Sequence, residues 1–188
     1  MSTSLVIISA YVICHGLTAH LVTPLQQRIL PDISVLASVI YLPHGVRVLA
    51  VWFWGWRAVL PLWLGNYIAT ALFRPTEIQD LLAPVFLEGV AIGAVSTLLA
   101  FELFRLMGKN YYAGQHRKMN WQRLLLIGLI ASVINSVGQT YIHVGLLPLV
   151  DELTLAATYA VGDLMGLVVC MIALMFIFRW IRMSQPDR

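Results

Sequence analysis

The amino-acid sequence predicts an all-α integral membrane protein, a polytopic bundle of about six transmembrane helices. Of its 188 residues, 60% are hydrophobic and only 11% are charged, whereas the surface of a soluble domain needs about a quarter charged residues. Apolar stretches of roughly 20 residues, long enough to cross a bilayer, recur along the chain. No polar stretch exceeds roughly 20 residues, which is too short for a soluble core. Residues 1–188 are therefore expected to form a single membrane domain.

Six spans follow one another along the chain. Their predicted ranges are 4–24, 34–55, 57–73, 81–107, 122–147 and 154–181. Proline, glycine and charged residues mark most of the breaks between them. The second and third spans are joined by so short a turn that they are expected to form a tight helical hairpin. The first span lacks the basic start and the small-residue cleavage site of a signal peptide, so it is expected to be retained.

Lysine and arginine fall mostly on one side of this predicted topology. The loop at 105–123, the short turn at Arg57 and the C-terminal tail share one side and carry nine basic residues, against two on the other. Because basic residues stay in the cytoplasm, both termini and the basic loop are expected there, with Asp151 and Glu152 on the opposite side. The net charge of +3 is explained by this topology, so no nucleic-acid partner is expected.

Three charged residues are predicted to lie at membrane depth, where they are costly and usually functional. At about 1.5 Å per residue, Asp163 lies roughly 14 Å below the outer end of its span, Glu88 roughly 11 Å and Arg47 roughly 18 Å. Arg47 is therefore expected to pair with Asp163 first and Glu88 second. Such a cluster either locks three helices together or lines a binding site, and both alternatives stay open.

The second span contains a sequence that disfavours a continuous helix. Pro43 removes a backbone donor and disfavours helical geometry at Leu42, and Gly45 adds freedom two residues later. The span is therefore expected to be broken here, with the N-terminus of a half-helix near His44 pointing inward toward a ligand. The alternative is an ordinary proline kink.

The fifth span carries a stripe of polar residues. At 100° per residue its members fall within about 80–100° of one another. In a membrane such a stripe faces other helices or water, so it predicts either interhelical hydrogen bonds or a lined pocket. The stripe comprises Ser132, Asn135, Ser136, Gln139 and His143.

Other motifs are weaker. Gly162 and Gly166, four residues apart in the sixth span, permit close helix approach. Cys14 and Cys170 are expected to be small buried hydrophobes. His15, His20 or His143 could hold haem or a metal, but hydrogen-bonded structural histidines are favoured, so no metal site is predicted and the cofactor stays unknown. No catalytic motif is present, and no enzyme is predicted.

Two blocks resemble the type-one membrane-associated sensor domains of bacteria. The first is "LPHGVRVLAVWFWGWRAVLPLWLGNYIATAL", and the second, "TYAVGDLMGLVV", is similar to the family's Gly-Asp-x-x-Gly segment at Gly162, Asp163 and Gly166. Family members usually have about eight spans and a C-terminal signalling domain, and Arg47 stands at a usually apolar position. The matched positions of the first block are Pro43, Gly45, Gly55, Arg57, Pro61 and Gly65.

The resemblance implies a free-standing sensory or ligand-binding module in the bacterial inner membrane that signals through a separate protein partner in the membrane or cytoplasm. A small-molecule ligand is possible. The six-span architecture also looks like the S-components of energy-coupling-factor transporters, so the alternative is a solute-transport or substrate-binding subunit, and the third possibility is a structural subunit. The candidate ligand-binding residues are His44, Arg47, Glu88, Asn135, Gln139, His143 and Asp163.

Overall fold

The computed structural model describes residues 3–29, 38–73, 81–114, 120–142 and 149–184, with side chains throughout except at 140 and 149–158. Within these ranges all regular secondary structure is helical, and there is no strand. The helices are α1 (Thr3–Leu17), α2 (Thr23–Ile29), α3 (Leu42–Trp54), α4 (Val59–Phe73), α5 (Pro84–Leu106), α6 (Trp121–Ile142) and α7 (Leu149–Met183). A π-helical turn, Thr18–Val22, joins α1 to α2, and a 3₁₀ turn, Gly55–Ala58, joins α3 to α4.

Five helical stretches are long and apolar enough to cross a membrane. The predicted all-α class is thereby confirmed, and the five apolar stretches are those expected of a multi-pass membrane protein. The count of six is not confirmed, because the predicted second and third spans follow each other through a 3₁₀ turn without a non-helical residue and count as one stretch. The five stretches are Thr3–Ile29, Leu42–Phe73, Pro84–Leu106, Trp121–Gln139 and Tyr159–Met183.

The stretch Leu42–Phe73 reverses direction at Gly55. This glycine has φ 58° and ends α3, and such a left-handed conformation is a common helix terminator that favours glycine. On one side of the turn, α3 runs antiparallel to α1. Its Arg47 contacts Tyr11, whereas Tyr41, just before α3, contacts His15 one turn further along α1.

On the other side of the turn, α4 runs parallel to α1. Gly65 lies against Tyr11, and Phe73, at the end of α4, lies against Gly16. Because α3 opposes α1 and α4 follows it, the two helices are antiparallel to each other. The predicted hairpin is therefore formed, although α1 rather than a direct α3–α4 seam is the main surface on which both pack.

The second predicted span differs from its predicted form. Residues 38–41 are not helical and α3 begins at Leu42, with Pro43 in its first turn. Proline is well tolerated there because the N–H it lacks would have no partner within the helix. Within the described residues, Pro43 and Gly45 therefore start a helix instead of interrupting one. The earlier part of the prediction, 34–37, lies outside the described residues, and the break is not confirmed.

The non-helical segment 38–41 crosses the surface of α7 at two glycines. The Tyr41 N–H donates a hydrogen bond of 2.9 Å to the Gly162 carbonyl. A Cβ on Gly162 would overlap the Ser38 carbonyl oxygen, and one on Gly166 would overlap that of Tyr41. The close approach predicted at these glycines exists, but its partner includes extended backbone as well as a helix.

The remaining helices complete the bundle around α3. Gly89 of α5 lies against Gln139 of α6, and Ile92 lies against Gly138, so these two helices are antiparallel. Helix α7 packs on both α6 and α3. As a result α3 is contacted by α1, α5, α6 and α7, and side chains on its buried face lie at the centre of the protein. The largest fully buried residues include Tyr11, Phe101, Leu62, Ile127, Leu167 and His44.

Candidate intramembrane polar site

Two polar residues on one face of α3 form the centre of the site. His44 and Arg47 are three residues apart, a spacing that places side chains on the same side of a helix. Their exposed fractions are 0% and 5%. Both side chains are therefore removed from lipid and solvent, and their polar atoms depend on partners from neighbouring helices.

Asp163 of α7 meets His44 at this centre. The carboxylate is 4% exposed, and its Oδ2 accepts a hydrogen bond of 2.6 Å from the Ser132 hydroxyl of α6. His44 Nδ1 lies 3.4 Å from the same oxygen. That separation is long for a hydrogen bond, and Nδ1 has no hydrogen-bond partner. The histidine and the carboxylate thus face each other across a gap in which one proton would complete a bond.

The other ring nitrogen fixes the tautomer of His44. Nε2 lies 3.1 Å from the backbone carbonyl oxygen of Gly128 in α6. A carbonyl oxygen only accepts, so Nε2 carries a hydrogen and donates it. A neutral ring then has its lone pair on Nδ1, directed at the Asp163 carboxylate. Ser132 lies four residues after Gly128, so a single turn of α6 positions both members of the pair.

Arg47 is held by aromatic groups instead of by an acid. Its Nη2 donates a 2.8 Å hydrogen bond to the Tyr11 hydroxyl, and its Cζ lies 5.7 Å from the ring centres of both Tyr11 and Tyr41. The guanidinium also lies against Gly93 of α5, where an added Cβ would sit 3.1 Å from Nη2. Cation–π contacts stabilise a desolvated guanidinium, but they leave its charge without a counter-ion in contact.

The predicted ion pair between Arg47 and Asp163 is therefore wrong. Among the described residues, no carboxylate oxygen lies within 4.0 Å of the Arg47 nitrogens. The reason is the direction of the side chains. Arg47 extends toward α1 and α5, whereas Asp163 faces α6 and is occupied by Ser132 and His44. The membrane depths predicted for Arg47 and Asp163 were similar. Depth alone, however, does not determine which side of α3 each group approaches.

Glu88 does not join the cluster. It lies near the start of α5 and is exposed on the outside of the helix, and it forms no ion pair with Arg47. The prediction that it is the second acid of a buried pair is wrong, because the buried face of α5 is the one that carries Val90, Gly93 and Ala94.

The polar stripe on α6 faces the protein interior as predicted. Ser132 is buried, Asn135 and Ser136 are partly buried, and the Gln139 amide donates a 2.9 Å hydrogen bond to the Gly89 carbonyl of α5. The opposite side of α6 is exposed, with Val137 at 65%. His143 lies outside the described residues. The stripe thus contributes Ser132 directly to the cluster and continues from it along the same helix face.

Several buried polar atoms around the cluster have no hydrogen bond. They are Nε of Arg47, Oγ1 of Thr97 and Oδ1 of Asn135, on three neighbouring helices. Thr97 is one turn from Gly93, and Asn135 is one turn from Ser132. Because buried polar groups nearly always find a partner, these atoms indicate positions where water or a ligand would be bound.

Helix α1 supplies site residues that the sequence analysis missed. Tyr11 bonds Arg47, and the Thr18 hydroxyl accepts a 3.3 Å hydrogen bond from the Leu42 N–H at the start of α3. The signal was a seven-residue spacing of polar groups, with Tyr11, His15 and Thr18 on one helix face. Tyr41 was also missed, although it lies within the predicted second span, because an aromatic residue in an apolar stretch gives no sign of a polar role.

The two cysteines lie together beside this cluster. Cys170 of α7 donates to the Leu42 carbonyl at 3.4 Å, and its thiol lies near that of Cys14 on α1. Both are partly buried and neither forms a disulfide. The interpretation as two separate buried hydrophobes is therefore incomplete. In the part of the chain that the structure describes, no group of three His, Cys, Asp or Glu could hold a metal.

Comparison of the chain with family models, curated proteins and solved structures finds no match. The resemblance to type-one sensor domains and the architectural likeness to S-components are tested by none of these comparisons. Both therefore stay predictions.

Proposed function

We propose that the protein is a non-catalytic sensory or ligand-binding module of a bacterial inner membrane, with its ligand bound at the intramembrane polar site and its signal passed to a separate protein partner. The site consists of His44, Arg47 and Asp163, extended along α6 by Asn135 and Gln139, with His143 as a further candidate. Glu88 is left out because it is exposed.

One observation supports this proposal most strongly. Arg47 is 5% exposed, contacts no carboxylate among the described residues, and keeps an unbonded Nε. A charged arginine at membrane depth costs about 2.5–3.5 kcal/mol on insertion scales. A bundle that needed only stability would gain more from an apolar residue at this position. A buried cation that keeps an unbonded N–H donor is instead suited to bind a ligand.

The proposed topology places this site inside the bilayer. The antiparallel α3 and α4 support two short crossings, which with the other four stretches make six. Both termini and the basic loop would then be cytoplasmic, as the distribution of lysine and arginine indicates. In this arrangement α3 starts on the periplasmic side, and the non-helical segment 38–41 lies between the periplasm and the cluster.

A second candidate function is solute transport. The observation that favours it is the His44–Asp163 pair, because a histidine and a carboxylate that can exchange a proton at membrane depth are typical of transporters and pumps. A structural subunit remains the third candidate. It is favoured by interhelical bonds such as that between Gln139 and Gly89, which need no ligand.

Native mass spectrometry of the full chain, released gently from its own membrane, tests the proposal. We expect a small-molecule adduct on the wild type that is lost in Arg47→Gln, while the matched control Arg57→Gln, at an exposed turn, keeps it. Circular dichroism and thermal unfolding establish that each variant is folded. A wild-type chain that carries no small molecule and appears only within a larger assembly would support the structural role instead. Solute flux in reconstituted vesicles would support transport.

A further inference from the structure

We propose that the intramembrane site takes a singly charged anion together with one proton, the anion at the Arg47 guanidinium and the proton between His44 Nδ1 and Asp163 Oδ2. This inference rests on the proposed function, since it names the ligand class of the same site. It follows from the positions of the hydrogen-bonding atoms and from the net charge that a membrane interior tolerates.

The charged groups around His44 are few. Helix α7 presents Asp163, α3 itself carries Arg47, and α1 and the segment before α3 contribute the phenols Tyr11 and Tyr41. Among the described residues, the other ionisable groups near the start of α3 are the thiol of Cys170, which donates to a backbone carbonyl, the neighbouring thiol of Cys14, and the His15 ring, which lies 6.2 Å from that of Tyr41.

In the described parts of α5 and α6, the side chains that face the cluster are uncharged. These helices face it with Gly93, Thr97 and Ser132. The charge at the centre of the cluster is therefore decided by Arg47, Asp163 and His44, while His15 lies beyond the Tyr11 and Tyr41 rings. The phenols Tyr11 and Tyr41 are neutral in their ordinary state.

Without a ligand these three groups can be neutral in sum. Arg47 is positive, Asp163 is negative, and His44 is a neutral ring that donates from Nε2 to Gly128. This state leaves the Nδ1 lone pair facing a carboxylate oxygen at 3.4 Å with nothing between them. A proton placed there forms an N–H···O bond, but it also makes the cluster positive by one unit.

An anion has the complementary effect. Arg47 offers an Nε–H that no protein atom accepts, so an oxyanion or a similar acceptor can bind there. Alone it makes the cluster negative by one unit. Since an uncompensated charge in a low-dielectric interior is costly, neither the proton nor the anion binds well alone. Together they leave the cluster neutral and complete both missing bonds.

Coupled binding has a quantitative consequence. If one proton enters with each anion, the dissociation constant of the anion rises about tenfold for each pH unit above the protonation range of the empty pair. The same coupling predicts that one proton leaves solution for each anion bound. A site that uses Arg47 alone would show neither effect.

The Asp163→Asn variant separates this mechanism from a structural role. Asparagine has nearly the same shape, and its amide nitrogen, placed where Oδ2 lies, can donate one N–H to His44 Nδ1 and the other to the Ser132 hydroxyl oxygen. The variant cluster is permanently positive, because Arg47 keeps its charge and no acid opposes it. We expect it to bind anions at about pH 8 at least about tenfold more tightly than the wild type, with no pH dependence.

The experiment uses the full chain in an uncharged maltoside detergent without lipid. Equilibrium dialysis with radiolabelled thiocyanate, which stays ionised throughout, gives the dissociation constant from about pH 5 to about pH 8, and a glass electrode in weakly buffered solution records proton uptake. Arg47→Gln should abolish binding. Glu102→Gln, which removes an acid at the cytoplasmic end of α5, is the matched control and should behave as the wild type.

A second arm identifies the source of the anion. The chain is placed in nanodiscs of phosphatidylcholine, with or without phosphatidylglycerol, whose phosphodiester is also singly charged. Competition by phosphatidylglycerol assigns the site to a lipid headgroup, and its failure to compete assigns the site to a free solute. Either result supports the proposed anion class.

Three results would overturn the inference. Thiocyanate binding without pH dependence or proton uptake would remove the coupling. Weaker binding in a folded Asp163→Asn variant would show that the carboxylate is needed for structure and not for proton exchange. If thiocyanate does not bind at all while native mass spectrometry still finds an Arg47-dependent neutral ligand, the anion class fails and the proposed function stands. If neither experiment finds a ligand, both fail.

Discussion

Replacing Gly166 by alanine should strongly destabilise the bundle. Gly166 lies where residues 38–41 cross α7, and an added Cβ would overlap the Tyr41 carbonyl oxygen and sit 2.9 Å from the Leu42 nitrogen. Both obstacles are backbone atoms, so no side-chain rotation relieves the overlap. The segment before α3 would have to move away from α7.

The size of the effect follows from what that movement breaks. Overpacking by one methyl group typically costs 1–3 kcal/mol, and an obstacle made of backbone places this case at roughly the upper end. Displacement also stretches the 2.9 Å bond from the Tyr41 N–H to the Gly162 carbonyl, which contributes about 1 kcal/mol. We therefore expect a loss of about 3–4 kcal/mol in the free energy of unfolding.

Unfolding in mixed micelles of dodecyl sulfate and maltoside, followed by circular dichroism, measures this loss. Gly89→Ala is the matched control. Its Cβ would meet only the Gln139 amide at 3.2 Å, a side chain that can rotate, so its cost should stay below about 1 kcal/mol. Equal effects of the two variants, or a loss below about 0.5 kcal/mol for Gly166→Ala, would show that the segment does not cross α7 at this glycine.

Three further predictions concern topology, exposure and the partner of the buried cation. Reporter fusions at Gln115 and Asp151 should fall in opposite compartments, and a shared compartment would contradict six crossings. Single cysteines that replace Gln139 and Leu129 should differ in lipid-phase labelling: the first should stay unlabelled, and the second should react, because Leu129 is 38% exposed. Strong labelling at position 139 would mean that the polar stripe faces lipid. Tyr11→Phe removes the hydroxyl that bonds the guanidinium and should lower the free energy of unfolding by about 1–3 kcal/mol, whereas no measurable change would mean that this bond is absent.

The sequence was sufficient for the class of fold and for the buried face of α6. Composition and apolar length predict membrane helices because the bilayer imposes both. The stripe was found because helical periodicity is local, so Ser132 and Gln139 could be placed on one face without knowledge of any neighbour. Pro43 and Gly45 likewise marked a real change in the backbone, although it is the start of a helix instead of a break within one.

The partners of the charged residues could not be predicted from the sequence. Arg47 was predicted to pair with Asp163 because the two residues have similar membrane depths. Pairing depends instead on which neighbouring helix each side chain faces, and packing between distant segments determines that. The assignment of Glu88 failed for a related reason, because a polar residue near the end of an apolar stretch can point outward. Tyr11 was overlooked because an aromatic residue within a membrane span is usually apolar packing.

The π-helical turn Thr18–Val22 shifts the side-chain register of the first span by one residue. In an unbroken α-helix, Leu25 would follow Tyr11 and Thr18 on the inner face at seven-residue intervals. Instead Leu25 is 53% exposed and Gln26 is buried, and the Gln26 Oε1 accepts a 2.7 Å hydrogen bond from the Val39 N–H. One inserted residue thus exchanges a leucine for an amide at the point where the segment before α3 needs an acceptor. If the same residues formed a regular α-helix without the inserted residue's extra turn length, Leu25 would face inward, and the Val39 N–H would lie opposite a hydrocarbon side chain.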